Sequence, residues 1–379
     1  MMEIWQYISY SLLFLYAGLI LFYFVGWLLI KPFIRSGKEP QINKFSILIP
    51  ARNEGETIAF CLQSLVSQKY SSENFEILIL NDHSTDNTSE QVISFIENHP
   101  THQIRLVNLG DHTEEGAKKE AVTYGVSIAK NQYIILTDAD CSRGENWLLC
   151  LDAFIQKKQA KMIYGPVLFQ AQNVFEKIQA LEFSGLVGIG ASAIHLKNPN
   201  MCSAANLIFE KEVFAEVGGY QNNHNLASGD DEFLLHKVFK KYPDQVFFLK
   251  NPEAIVETSP NSSVQQLTQQ RRRWVSKSTK YEDRYITAIL VGAYFFNFTL
   301  FFNLVIGFFN LDFLNIGLNQ LIIKIGVEGL FLFTILRFFK QTKLIFFLPL
   351  AEPFHILYVL IIGVWANIAS YQWKGRNLK

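Results

Sequence analysis

Between Gln41 and Arg284, short apolar runs alternate with longer segments patterned for helices: residues 45–49 precede 56–67, 75–80 precede 85–97, 104–107 precede 115–130, and 133–136 close the series. Apolar runs of four to eight residues bounded by polar turns suit buried strands, whereas longer stretches with a 3.6-residue period suit helices. The pattern predicts a βαβα series. Such a series builds a parallel sheet with helices on both faces and gathers ligands outside the carboxyl ends of its strands.

The two ends of the chain read differently. From Tyr7 to Ile30 there is no charge, and at 1.5 Å per residue that run can cross the ~30 Å hydrocarbon layer of a bilayer. It lacks the cationic start of a cleaved signal peptide, with Glu3 as the only early charge, so it is expected to remain as an anchor. Lys31, Arg35 and Lys38 follow at once, which by the positive-inside rule delivers the next segment to the cytoplasm. Beyond Arg284 come three further apolar stretches, near residues 285–310, 313–338 and 344–370. Arg337, Lys340 and Lys343 between the last two favour a cytoplasmic turn. Pro349 and Pro353 leave open a re-entrant hairpin in the last stretch, and with it the side on which the C-terminus lies. Lys324 with Glu328, four apart, and Glu352 with His355, three apart, interrupt the apolar pattern as charge pairs; either a structural pairing or an acceptor-binding role fits them. The expected organisation is an anchor and basic linker over 1–40, a cytoplasmic domain over 41–284, and a membrane region over 285–379.

Composition agrees with that division. The 379 residues are 49% hydrophobic with 33 Phe, an excess that concentrates at the ends. The formal net charge is zero, so there is no overall field to attract nucleic acid. Cys61, Cys141, Cys150 and Cys202 follow no metal or disulfide spacing and read as reduced, structural thiols of a cytosolic compartment.

Polar clusters stand after the strands. Pro50-Ala51-Arg52-Asn53-Glu54 follows the first, Asn81-Asp82-His83-Ser84-Thr85-Asp86 the second, and Thr137-Asp138-Ala139-Asp140 the fourth, all on one sheet edge. The Asp82–Asp86 group also suits a turn and helix N-cap. Asp138 and Asp140 suit a solvated turn, or a hard divalent cation whose remaining oxygen ligands include phosphates. Neither a Gly-x-Gly-x-x-Gly fingerprint nor a P-loop is present, which argues against both of those nucleotide folds. Further on, Gly229-Asp230-Asp231-Glu232 opens an apolar helical run. Clustered acids raise at least one pKa and can prepare a general base, and acids at a helix N-terminus are equally explained by its dipole. Gln270-Arg271-Arg272-Arg273-Trp274, with Lys277, Lys280 and Arg284 behind it, reads as a juxtamembrane basic collar or as a diphosphate site.

In that order and approximate spacing, these motifs resemble those of the inverting glycosyltransferases of family 2, which include cellulose, chitin and hyaluronan synthases and lipid-directed transferases. The resemblance covers Phe45 to about Arg284, and Gln270-x-x-Arg273-Trp274 matches the signature of the membrane-integrated members. It implies an α/β domain of the GT-A nucleotide-diphospho-sugar transferase type, a Rossmann-like mixed sheet, carried by transmembrane helices. By it, Ala51, Glu54 and Asp82 contact a uridine-like nucleoside, Lys118 approaches the phosphates, Asp138 faces the ribose or sugar, and Asp140 ligates Mn²⁺ or Mg²⁺. Asp231 aligns with the catalytic base and Asp230 with its acidic neighbour. Arg273 neutralises the leaving diphosphate, while Gln270 and Trp274 join Asp230 on the acceptor side. Asn81 departs from the family, many members carrying Asp there.

The expected reaction is attack by a deprotonated acceptor hydroxyl on the anomeric carbon of a nucleotide-diphosphate sugar, with inversion. The expected acceptor is a lipid or lipid-linked glycan at the cytoplasmic face of a bacterial inner membrane. A processive polysaccharide synthase is the alternative, although about four spans are few for an export channel, and a non-catalytic nucleotide-sugar-binding scaffold is the third reading.

Overall fold

The computed structural model describes residues 2–111, 118–221, 229–275, 284–365, 371–373 and 376–378. It divides into two compact units. One comprises Leu29–Gln170 with Ala193–Ser259, and the other Met1–Leu28, Ala171–Ser192 and Pro260–Lys379.

In chain order the elements are α1 (Met2–Leu29), β1 (Phe45–Ala51), α2 (Ile58–Val66), β2 (Phe75–Asn81), α3 (Thr88–Asn98), β3 (Gln103–Asn108), α4 (Lys118–Ile128), β4 (Tyr133–Leu136) and β5 (Ser142–Arg143). There follow α5 (Trp147–Lys158), β6 (Met162–Tyr164), β7 (Val167–Phe169), α6 (Val174–His195), β8 (Leu207–Glu210), α7 (Lys211–Glu216), α8 (Asp230–Lys241), β9 (Val246–Phe248) and β10 (Val256–Thr258). The chain continues through α9 (Val264–Val275), α10 (Arg284–Ile306), α11 (Leu311–Phe338) and α12 (Leu348–Trp365).

The first unit is built on a seven-stranded sheet of order β3-β2-β1-β4-β8-β6-β9. Residues of β1 and β2 are buried on both faces, which is why those strands read as near-continuous apolar runs. Ile58, Cys61, Leu62 and Leu65 form the buried stripe of α2 at helical spacing. Gly125 lets α4 lie close to the sheet, because a Cβ there would stand 2.7 Å from Leu80 Cδ1. One strand, β8, runs antiparallel to both β4 and β6. The sheet is thus mixed, as the resemblance to the GT-A type implies: the strands of the βαβα series, β1 to β4, are parallel as their rhythm predicts, and β8 is the strand that reverses. Three-residue strands such as β6 and β9 carry too little pattern to fix direction.

A three-stranded sheet of order β5-β10-β7 lies within the same unit. Its β5 begins two residues after Asp140.

The second unit contains the long apolar helices. Among the described residues, three helical segments are long and apolar enough to cross a membrane: Met2–Leu29, Tyr285–Ile306 and Thr342–Val364. A helix also occupies each of the three apolar stretches expected beyond Arg284; α11 carries Asp312, Lys324, Glu328 and Arg337, which lower its apolar character. Pro349 and Pro353 sit within α12 without interrupting it, and residues 366–370 of that stretch lie outside the described residues. The two expected charge pairs are one cluster. The fully buried Lys324 ammonium reaches Glu328 at 2.7 Å and donates to Glu352, the Tyr16 hydroxyl donates to Glu328, and His355 Nδ1 lies 3.5 Å from the ammonium. Buried charge in an apolar bundle persists only when paired in this way. A second polar network joins Trp5, Ser9, Asn303 and Gln320 across α1, α10 and α11.

Candidate active site

The strands place the motifs on one edge because β1, β2 and β4 are mutually parallel, with Ala51 opposite Asn81. Past that edge the two loops are stitched together. Asp82 N donates to Ala51 O at 2.8 Å. Asn53 N donates to Ser84 Oγ at 3.0 Å, Thr85 N to Asn53 Oδ1 at 2.8 Å, and Glu54 N to Thr88 Oγ1 at 2.8 Å. Asn53 and His83 take left-handed backbone conformations, φ 52° and 54°, which Asn and His tolerate better than most residues. The Asp82 carboxylate is buried and contacts His83 Nδ1 at 2.9 Å. Asp86 is not the cap of α3 itself. It accepts from Gly55 N and from the amide and hydroxyl of Thr88. Burial works upward on its pKa, but those donors win and hold the carboxyl below its usual value.

Asp138, Asp140 and Cys141 follow β4, with their carboxylate oxygens and sulfur within 4.8 Å of one another. Asp140 Oδ2 accepts from Thr258 Oγ1 of β10 at 3.0 Å. Burial, then the neighbouring carboxylates of Asp138 and Glu54, push the Asp140 carboxyl upward. Acids so arranged fit a divalent cation, which would supply the missing positive charge and prefers oxygen donors. Glu54 is thereby also placed within electrostatic reach of the Asp-Ala-Asp motif.

Lys118 Nζ donates to Asp138 Oδ1 at 3.1 Å. Burial pulls the Lys118 pKa down, but Asp138, then Asp230 and Asp231, outweigh it and hold the ammonium above its usual range. The next residue, Lys119, is buried and pairs with Asp230 at 3.5 Å. The start of α4 therefore gathers the acids after β4 and those opening α8. Gly229 caps α8 at φ 89°, a conformation that glycine alone adopts without strain. Asp231 Oδ2 accepts from Ala204 N at 3.1 Å and Oδ1 from Glu232 N at 3.0 Å, which fixes the orientation of the carboxylate.

In the other unit, α9 carries the Gln-x-x-Arg-Trp segment. Gln270 accepts from Asn261 Nδ2 at 2.9 Å, and the Arg271 guanidinium lies 4.4 Å from the Trp274 ring centroid while pairing with Glu182 at 2.9 Å. Arg273 stands in the last turn of the same helix. Lys277 and Lys280 fall outside the described residues.

Sequence reasoning missed Lys119, Thr258 and Arg143. Arg143 Nη2 donates to Cys141 O at 2.8 Å and Thr137 Oγ1 at 3.1 Å, bracing the turn that bears both aspartates. For Lys119 the available signal was its adjacency to Lys118 at a helix start. Thr258 comes from a distant strand and left no local trace.

The sheet order and the acids at its edge define a GT-A-type nucleotide-diphospho-sugar transferase domain. The glycosyl transferase family group 2 profile matches residues 133–369, more than half of the chain, and that of glycosyl transferase family 2 matches residues 46–218. The chain belongs to glycosyl transferase family group 2, a family of glycosyltransferases. It is 27% identical over 236 residues to the poly-beta-1,6-N-acetyl-D-glucosamine synthase of Staphylococcus epidermidis, covering 59% of this chain and 55% of that protein. It is 30% identical over 120 residues to glycosyltransferase GlyG of Streptococcus pneumoniae, covering 32% and 38% respectively. The chain thus spans about half or less of the length of these relatives. In fold it is similar to the mannosyltransferase PcManGT of Pyrobaculum calidifontis, solved with GDP-Man and Mn2+, with a TM-score of 0.58, 14% identity, and coverage of 95% of this chain and 99% of that one.

Proposed function

We propose that this chain transfers a sugar, with inversion, from a nucleotide-diphosphate sugar to a lipid or lipid-linked acceptor at the cytoplasmic face of a bacterial inner membrane. The observation that carries the reading is the pairing of Asp138 with Lys118 and of Asp230 with the adjacent Lys119, with Asp231 next in the chain. That arrangement sets a cation- and phosphate-binding pole beside a separately held carboxylate. In this reading Ala51, Glu54 and Asp82 hold a uridine-like nucleoside, and Lys118 and Asp138 flank its phosphates and sugar. Asp140 ligates Mn²⁺ or Mg²⁺, with Thr258 orienting it. A cation held there would supply positive charge against the departing diphosphate. Asp231 removes the proton from the acceptor hydroxyl, and the oxygen then attacks the anomeric carbon opposite the leaving group. Arg273 offsets leaving-group charge, while Gln270, Trp274 and Asp230 serve the acceptor side. Domain limits at residues 41 and 284 follow from the same reading.

The similarity to a poly-beta-1,6-N-acetyl-D-glucosamine synthase favours a second reading, processive synthesis of a polysaccharide. Incubating membranes with radiolabelled nucleotide sugars, then separating organic-soluble lipid from insoluble polymer, distinguishes the two. Label in the organic phase supports the lipid acceptor, and label in polymer supports the synthase. Label in neither, with the donor intact, rejects both.

A further inference from the structure

A cleft of about 600 Å³ lies within the sheet-bearing unit, between α2, the turn after β5 and the residues around β10. Its volume falls in the ~300–1,000 Å³ range of small-molecule sites. None of the residues assigned to nucleotide, metal or base lines it. Phe60 stands on one wall, 64% exposed. Gln63 and Ser64 of α2 stand beside it, and Glu257 and Arg143 stand across it. Arg143 is only 7% exposed, and its Nε and Nη1 are buried without a hydrogen-bond partner among the described residues. Such donors are costly to leave unmade, and the residue that carries them is part of the cleft wall.

The composition of the walls selects the ligand. Glu145 and Glu253 are paired with Lys69 and Arg35, and the further carboxylate of Glu257 disfavours an anion. Phe60, Pro252 and Ile255 are too few apolar side chains for a lipid tail. Carboxylates that accept, a guanidinium that donates, amides and hydroxyls that do both, and one exposed ring together match a neutral polyhydroxylated molecule with an apolar C–H face. We propose that this cleft is an accessory binding site for a neutral oligosaccharide, distinct from the donor site. The same Arg143 braces Thr137 and Cys141 around Asp138 and Asp140, and Glu257 precedes Thr258, the donor to Asp140. Occupancy by a glycan therefore bears on the backbone that holds the cation-binding acids. The assignment goes beyond the transferase reading and gains its biological sense from it, but its test is a binding measurement that needs no turnover.

The experiment uses the full chain in nanodiscs with saturating UDP and Mn²⁺, so that the donor site is filled. Chito-, cello- and manno-tetraose are titrated, with a tetrasaccharide of uronic acids as the anionic control. The expected result is binding of at least one neutral tetrasaccharide, weakened about tenfold by Phe60→Ala, a difference of about 1.4 kcal/mol, while the control binds more weakly. Phe60 is exposed, so the variant should fold; an unchanged melting temperature verifies it, and initial-rate transfer to a small acceptor should be unchanged. Absence of binding by all three neutral tetrasaccharides, equal binding by wild type and Phe60→Ala, or preference for the anionic control overturns the proposal. Glycan binding lost in Phe60→Ala without any transfer by wild type would sink the proposed reaction and leave the cleft assignment standing.

Discussion

Lys119 Nζ stands 3.5 Å from an Asp230 carboxylate oxygen, and both side chains are largely buried. The residue before it, Lys118, donates to Asp138, so one helix start holds acids from two motifs separated by more than ninety residues. Replacing Lys119 with Met leaves Asp230 without its cation in a poorly solvated place, which typically costs about 3–5 kcal/mol. The double variant Lys119→Met/Asp230→Asn should recover much of that loss. Denaturant unfolding of the two single variants and the double variant measures the pair, and strictly additive losses would show that no such pairing exists.

Asp86 gives the stitched loops a pH dependence. Its folded-state pKa lies below the ordinary carboxyl value of 3.8, so its contribution is fully present above the unfolded pKa and fades as pH falls through the folded one. Acid unfolding of Asp86→Asn, compared with wild type, should show a smaller loss of stability below about pH 4. Identical acid profiles would mean that Asp86 does not tie the loops together.

For Asp140 the sign is reversed, because burial and the carboxylates of Asp138 and Glu54 raise its pKa. At neutral pH its charge therefore disfavours the metal-free fold, and Asp140→Asn should melt no lower than wild type without metal. Mn²⁺ should stabilise wild type and not the variant, and Mn²⁺-dependent UDP binding should be abolished in Asp140→Ala. Calorimetric titration of UDP with and without Mn²⁺ checks this; unchanged affinity in Asp140→Ala rejects Asp140 as the ligand. Asp138→Ala should weaken binding through the sugar or ribose.

The parts of this molecule that could be read in sequence are those specified locally. Strands β1, β2 and β4 announce themselves as apolar runs, the polar clusters after them fall on the carboxyl edge by geometry, and Gly229 marks the left-handed entry to α8. What could not be read depends on contacts between distant segments. Antiparallel β8 is an apolar run like β4 and β6 on either side of it, so its direction left no signature. The merger of two charge pairs around Lys324 depends on how α1, α11 and α12 cross. Arg35, read as part of the positive flank of the first span, also pairs with Glu253 at 3.3 Å, a partner 218 residues away. Thr258 and Arg143 brace the aspartates from strands whose two or three residues carry no periodicity.

In the proposed reaction Asp231 is the general base, held by the amides of Ala204 and Glu232. The direct measurement is kcat and UDP affinity for Asp231→Asn and Asp230→Asn in nanodiscs. Asp231→Asn should lose about 10²–10⁴-fold in kcat while UDP affinity stays near wild type, because the base acts on the acceptor. Asp230→Asn should lose less. A purely structural helix N-terminus predicts instead that both variants lose about 0.3–1 kcal/mol of stability and keep their turnover; near-normal kcat for Asp231→Asn would contradict the mechanism.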